Sequence, residues 1–399
     1  MQKKTIRDVD FKGKRVLMRA DFNVPLDENC QITDDTRITA TLPTINYILE
    51  RGGRLALCTH LGRPKGAPDA KYSLSPVAKR LSELLGQEVQ MLPDCVGDAV
   101  KEAVLKLKDG QACLLENVRF HPGETENDPD QSKKLAELGE IFVNDAFGSA
   151  HRAQCSVSGV TEFIKDKGGP CVAGFLLEKE IEFLIGAVEN PERPFLAIMG
   201  GAKISGKIDV IENLLSKVDG ILIGGAMAYT LLKAKGVPVG KSLVEEDRVD
   251  MAQKTLKSVE AKGLTFLLPQ DHLIAPEVKE GAAVSTTDGV EIPADQCGVD
   301  IGPKTLSAFT NEIAKAKTIV WNGPMGVFEI EAFSKGTVGI AKALAASSAK
   351  TIIGGGDSVS AINKAGVADK VTHISTGGGA SLELLEGKKL PGLVSLSDK

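Results

Sequence analysis

Arginine and histidine recur where short apolar runs end in the first half of the chain. The segments read RADFN at 19–23, HLGRP at 60–64, ENVRFH at 116–121 and NDAFGSAHR at 144–152. They hold Arg19, His60, Arg63, Arg119, His151 and Arg152, and Arg37 joins them from DDTRI at 34–38. A guanidinium offers a planar fork of donors that grips phosphate or carboxylate in bidentate fashion. One such arginine reads most simply as a surface charge. Several at successive strand ends gather like charge in one place, and that charge calls for an anion. Asp21 and Asn23 suit hydroxyl groups beside the anion, or equally the ordinary capping of a turn.

Glycine takes the place of charge in the second half. The corresponding segments read GGAK (200–203), GGAM (224–227), GGGDS (354–358) and STGGGAS (375–381). Glycine lets backbone approach a phosphate closely and frees N–H groups to point at it. Lys203 lies just past the first such turn, and Lys207 one helical turn further on. A single GG pair is an ordinary tight turn; four in one half predict a nucleotide-phosphate site. Asp357 is the candidate Mg²⁺ ligand, because Mg²⁺ favours carboxylate, phosphate and water. From spacing alone it fits a helix N-cap equally well. The chain lacks GxxxxGK[ST], the HRD and DFG pair and GxGxxG, so it is neither a P-loop enzyme nor a protein kinase, and a nicotinamide dehydrogenase is disfavoured.

These segments need elements to hold them. Apolar runs occur at 16–18, 55–58, 113–115, 141–143, 195–199, 221–223, 318–320 and 351–353, each followed by polar or glycine residues and then a helical pattern. Such runs read as buried parallel strands with helices on both faces, an α/β class. Ligands of open α/β sheets bind beyond the carboxyl ends of the strands, where both residue sets fall. Between the halves, Leu177, Ile181, Leu184, Ile185 and Val188 share one helical face over 173–188, which predicts a linking helix ended by PERP at 191–194, or else an ordinary surface helix of the first domain.

Composition narrows the function. With 42% hydrophobic and 25% charged residues the chain is globular, and a net charge of −5 supplies no global field for nucleic acid. Aromatic residues at 4% are too few for base-stacking platforms. Seven cysteines without a CxxC pair suggest neither a disulfide framework nor a zinc site and fit a reducing compartment. No signal peptide or bilayer-spanning run is recognised, so a cytoplasmic protein without membrane attachment is expected.

The motifs, taken together, resemble the phosphoglycerate kinase family. They are VLMRADFNVP (16–25), THLGRPKG (59–66), ENVRFHPGE (116–124), NDAFGSAHR (144–152), GGAKISGK (200–207), WNGPMGVFE (321–329), GGGDS (354–358) and STGGGASLELLEGKKLPG (375–392). The resemblance implies two Rossmann-like domains, each a parallel sheet flanked by helices, joined by a linking helix and hinge. Their expected bounds are 1–172 with 380–399 for the glycerate substrate, 173–189 for the linking helix and 190–379 for the nucleotide. It implies that Asp21, Asn23, Arg37, His60, Arg63, Arg119 and Arg152 bind 3-phosphoglycerate or 1,3-bisphosphoglycerate. Arg37 and Lys203 would serve the transferring phosphoryl group. Lys207, Asn322, Gly355, Gly356, Asp357 and Ser358 would hold the phosphates of ADP or ATP, with Asp357 toward Mg²⁺. Gly224, Gly225, Gly298 and Pro324 would line the adenosine slot and Glu329 would meet the ribose. A monomer is the family expectation. Ala20, Thr59, Gln154 and Ala226 depart from the commoner pattern, and none removes a charge assigned to the reaction.

The residues present no general base, and the implied reaction needs none. Its nucleophiles, a carboxylate or the terminal phosphate of ADP, are already ionised near neutral pH. The obstacle is repulsion among anions and the spread charge of a metaphosphate-like transition state. Positioning and cations must overcome it.

Overall fold

Arg15–Arg19 forms β1, buried from Val16 onward because helices cover both faces of its sheet. It pairs in parallel with β2 (Arg54–Cys58) on one side and, further along the chain, with Ile141–Asn144 on the other. With β3 (Val89–Met91), β4 (Ala112–Leu114), β5 (Ile141–Asn144) and β6 (Cys171–Ala173), the sheet order is β3-β4-β2-β1-β5-β6. One face packs Phe11, Phe22, Ile38, Ile45, Val77 and Leu81 against Val16, Met18, Leu55 and Leu57.

A second all-parallel sheet contains β7 (Phe195–Met199), β8 (Gly220–Ile223), β9 (Thr265–Leu267), β13 (Thr318–Asn322), β14 (Lys350–Gly354) and β15 (His373–Ile374), in the order β15-β14-β13-β7-β8-β9. Its core holds Ile198, Leu222, Phe309, Trp321, Ile340 and Ile353. Beside it, β10 (His272–Ala275), β11 (Ser285–Thr286) and β12 (Cys297–Ile301) form a small antiparallel sheet, β11-β10-β12. Every strand expected from an apolar run is present. The antiparallel sheet and the short edge strands β3, β6, β9 and β15 are additions. Most are two to five residues, partly polar and in places exposed; β6 is buried and apolar, but its last residue, Ala173, falls within the stretch that reads as one helix.

This computed structural model describes residues 2–399. The chain divides into two compact units: the first ends at Ile181 and takes back Lys389–Lys399, and the second is Glu182–Lys388. The returning tail is tied to the first unit by bonds from Gly392 N–H to Ala150 O (2.8 Å) and from Ser397 N–H to Cys171 O (2.8 Å). The helix between the halves starts at Phe175 and runs to Glu189 through a π-type turn at Ile181–Ile185. Ala173 is not part of it, because that residue pairs with Asn144 in β6. Asp145, buried after β5, accepts from Leu176 N–H (2.8 Å) and Leu177 N–H (3.1 Å) and so fixes the helix start. Among the described residues no helix is long and apolar enough to cross a membrane.

The strand order of the second sheet reverses between β7 and β13, and three turns crowd that end. Gly200 N–H bonds Asn322 O, Gly201 N–H bonds Pro324 O and Gly225 N–H bonds Met325 O, at 2.8–2.9 Å. The turns meet through their glycines. A Cβ on Gly200 would intrude on the carbonyls of Gly323 and Pro324, and one on Gly225 would intrude on Gly201. Gly225 also sits at φ +68°, where a side chain is strained. Gly225→Ala is therefore expected to destabilise the second unit by about 3 kcal/mol, the sum of strain and overpacking. Fluorescence of Trp321, the sole tryptophan and buried in β13, follows that unit during denaturant unfolding. An unchanged midpoint would refute this account of the turn.

Candidate functional site

In the first unit the predicted basic residues stand where the strands end. Asp21 and Asn23 follow β1, His60 and Arg63 follow β2, Arg119 lies on a 3₁₀ turn (Val118–Phe120) after β4, and Arg152 follows β5. Arg37 comes from the first turn of the helix Thr36–Glu50. His60 is the centre of the group. Burial pushes its pKa well below the ordinary value, and Arg19, Arg119, Arg37 and Arg152 push it further the same way. Arg119 is lowered to about 10, first by burial and then by Arg19 and Arg152, with Arg63 adding a smaller push. These residues share one electrostatic neighbourhood.

Arg19 anchors the group from beneath. Its side chain is wholly buried, donating from Nε to Ser156 Oγ (2.9 Å), from Nη2 to Ser149 Oγ (3.3 Å), and to the carbonyl of Ala20. Its Nη2 also meets His60 Nδ1 at 2.9 Å. A guanidinium can only donate, so Nδ1 accepts and the imidazole proton lies on Nε2. Behind them Glu124 is fully buried, accepting from Ser156 Oγ (2.6 Å) and Ser156 N–H (3.0 Å). Burial raises the Glu124 pKa, while Arg19 and Ser156 oppose the rise.

The remaining groups are set by local bonds. Asn23 Oδ1 accepts from Gly62 N–H (2.8 Å), and Arg119 Nη1 donates to Gly62 O (2.8 Å), joining the turns after β1, β2 and β4. Arg37 Nη1 pairs with Asp21 Oδ2 at 2.5 Å. Arg37, Arg63 and Arg152 are exposed, whereas Arg119 is half-buried with its Nε unpartnered within the protein. Arg19, Glu124 and Ser156 complete the site from behind. Arg19 stood in a strand-end segment and Glu124 in the motif at 116–124, but spacing did not separate a buried support from a surface ligand.

In the second unit a cavity of about 570 Å³ opens over the laced glycine turns. Its lining includes Gly225, Gly298, Pro324, Glu329 and Asp357. Gly224 lies just behind, where a Cβ would strike Met325. Gly298 is on β12 against the Tyr229 ring, so a side chain there would fill the slot. Tyr229, Lys241 and Glu277 also line the cavity, and no motif marked them.

The cations of this unit are differently placed. Lys203 is exposed on the turn after β7. Lys207, the N-cap of the helix Ile208–Leu214, is half-buried; its Nζ donates to Asn322 O (2.9 Å) and bonds Asn322 Oδ1. Burial lowers its pKa to about 8, and Asp357 partly offsets this. Asn322 Nδ2 has no partner within the protein and lies beside the Gly354–Gly355 turn. That turn starts the helix Gly356–Lys364, whose first N–H groups have no acceptor inside the helix. Gly355 takes the N-cap position without a side-chain cap, so Asp357 does not serve there. Ser358 Oγ accepts from Gly323 N–H (2.6 Å) and ties this helix to the turn after β13. The expectation that all the glycine turns offer free N–H groups is corrected at Gly200, Gly201, Gly224 and Gly225. Their N–H groups bond backbone carbonyls at 2.8–2.9 Å, and glycine there serves close packing.

Several other side chains are buried in the two units. Trp321 is buried and donates to Gly323 O (2.7 Å). His272 is buried, bonds Val290 O (3.1 Å), and is lowered by that burial to about 4. The cysteines are unpaired and, apart from Cys30, buried. Burial holds Cys58, Cys113 and Cys171 up at about 12.

The family profile described as phosphoglycerate kinase matches residues 6–388. The phosphoglycerate kinase of Chlorobium limicola is 56% identical over 401 residues, covering 100% of both chains. That of Clostridium botulinum strain Alaska E43 is 57% identical over 398 residues and covers 99% of each. Among solved structures, phosphoglycerate kinase from Coxiella burnetii superposes with a TM-score of 0.92 at 42% identity over 98% of each chain. The enzyme from Pyrococcus horikoshii OT3 gives 0.83 at 35% identity over 98% of each. The chain belongs to the phosphoglycerate kinase family, glycolytic phosphotransferases that exchange a phosphoryl group between 1,3-bisphosphoglycerate and ADP.

Proposed function

We propose that the first unit holds the glycerate substrate and the second holds the nucleotide, and that transfer is direct and in line. The observation that carries this reading is the gathering of Arg19, Arg37, Arg119 and Arg152 around a neutral His60. Such a cluster is costly without an anion and is suited to one with both phosphate and carboxylate ends. Arg63, Arg119 and Arg152 bind the anionic groups, Asp21 and Asn23 meet hydroxyls, and His60 donates from Nε2. Arg37 reaches toward the transferring group.

In the second unit, Gly224, Gly225, Gly298 and Pro324 bound the adenosine slot and Glu329 meets the ribose. Lys207, Asn322 and the Gly355–Ser358 turn bind phosphates. The exposed Asp357 carboxylate, at the cavity's edge, fits a Mg²⁺ ion held otherwise by phosphate and water. When bound, that ion neutralises charge on the phosphates. Lys203, exposed and unencumbered by burial, stabilises charge on the phosphoryl group in flight. Hinge closure at the linking helix brings the loaded units together and excludes water from the acyl phosphate. The chain acts as a cytoplasmic monomer and engages neither membrane nor nucleic acid.

An assay coupling 3-phosphoglycerate and MgATP to glyceraldehyde-3-phosphate dehydrogenase tests the reaction through NADH loss. Lys203→Ala is expected to lower kcat at least ~10²-fold, the scale for losing one preorganised charge stabiliser. A variant with near-normal kcat would remove Lys203 from that role. Arg63→Ala is expected to raise KM for 3-phosphoglycerate by ~10-fold or more while leaving ADP affinity unchanged, as loss of a charge-assisted bond to one ligand requires. Equal loss of both affinities would contradict the division of labour.

Lys207 links nucleotide binding to pH. Its pKa is about 8 without nucleotide, and a phosphate beside it favours the charged form. Binding above that pH must take up a proton, so affinity falls as pH rises, by at most ~10-fold per pH unit. Calorimetry of MgADP binding near pH 9 in buffers of different ionisation enthalpy measures the uptake. Lys207→Ala is expected to abolish it; the same uptake in the variant would place the titration on another group.

A further inference from the structure

Among the described residues, a single group of three histidine, cysteine or acidic side chains brings its ligand atoms within metal-binding reach of one another. The group is Asp94, Cys95 and His121, with one ligand atom from each all within 4.8 Å of the others. None belongs to the sites above. Asp94 and Cys95 follow β3, and His121 follows the 3₁₀ turn after β4; β3 and β4 are parallel neighbours, so both loops leave the same end of the sheet. His121 Nε2 lies 2.6 Å from Asp94 Oδ1, which also accepts from Cys95 N–H at 2.6 Å.

We propose that Asp94, Cys95 and His121 form a site for one divalent ion of the Zn²⁺ class, with water in a fourth position. One nitrogen, one oxygen and one sulfur ligand suit a borderline-soft, four-coordinate ion and disfavour Mg²⁺ or Ca²⁺, which require oxygen. Bond lengths of roughly 2.0–2.3 Å place tetrahedral ligands roughly 3.3–3.6 Å apart. The Asp94–His121 pair must therefore part slightly and the sulfur draw in by no more than about 1.5 Å. The site can accommodate this. The Asp94 and His121 side chains are 45% and 34% exposed and open to solvent, while Cys95 is buried and forms the floor. Carboxylate, thiolate and a divalent ion sum to zero charge, which suits a half-buried position.

The thiol is the demanding ligand. Burial, and then the Asp94 charge, hold its pKa well above the ordinary value. The ion must displace that proton, so binding tightens as pH rises. A plain Asp–His hydrogen bond with an incidental cysteine predicts no thiolate chemistry, and that difference decides the matter.

The full chain, free of nucleotide, is titrated at about pH 7.5 with Co²⁺ as a spectroscopic stand-in for Zn²⁺. The expected result is a saturable one-to-one signal with a near-ultraviolet thiolate-to-cobalt charge-transfer band, lost on adding Zn²⁺. Cys95→Ser is expected to remove the band. His121→Asn, at a partly exposed position compatible with folding, is expected to weaken binding at least ~10-fold. Absence of the band, or its persistence at unchanged affinity in both variants, would overturn the site. Visible cobalt bands without thiolate charge transfer would place the ion elsewhere and overturn it equally.

Discussion

Arg19 cannot shed its proton, and it is buried at the end of the central strand. Everything around it answers to that constraint. Two serine hydroxyls, a carbonyl and an imidazole nitrogen take its N–H groups, and Glu124 supplies the opposite charge through Ser156. A buried charge this well bonded is rigid, and its rigidity passes to its neighbours. His60 is held neutral and in one tautomer. The exposed arginines then stand around a fixed centre.

The second unit solves a related problem with little side-chain charge. Its turns crowd together at the reversal of strand order, where only glycine lets three backbones touch. That lacing consumes the N–H groups of four glycines, so it builds the floor of the cavity without itself donating to a ligand. Donors remain at the helix start after β14 and on Asn322. The same residue type thus plays two roles within one motif class, and only the hydrogen-bond pattern tells them apart.

The legibility of the sequence follows from this. Buried parallel strands are continuous apolar runs, so β1, β2, β4, β5, β7, β8, β13 and β14 could be read directly. The strand-end segments could be read because α/β topology puts every such end on one side. What stayed hidden was relational. Arg19 and Arg63 occupy similar segments, yet one is a buried support and the other an exposed donor. Tyr229, Lys241 and Glu277 enter the cavity from positions outside every motif, Tyr229 two residues past GGAM. The antiparallel sheet is made of short strands with polar residues, and no run announced it.

Under the proposed division of labour, two anions demand different treatment from the two units. A glycerate phosphate arrives without its own counter-ion, so the protein must supply cations and keep them apart until it comes. Their mutual repulsion is visible in Arg119, which burial and its neighbours pull down to about 10. A nucleotide in this proposal brings a metal ion, so its site needs fewer fixed charges. Burial depresses Lys207 to about 8, which reflects the cost of holding a cation in that half-buried place without an anion beside it. The chain can therefore stay acidic overall, at −5, while presenting strong local attraction to anions. Nothing in the reaction requires a proton to move at the reacting atoms. Such a site depends on where its charges stand, and the buried network beneath His60 fixes their centre.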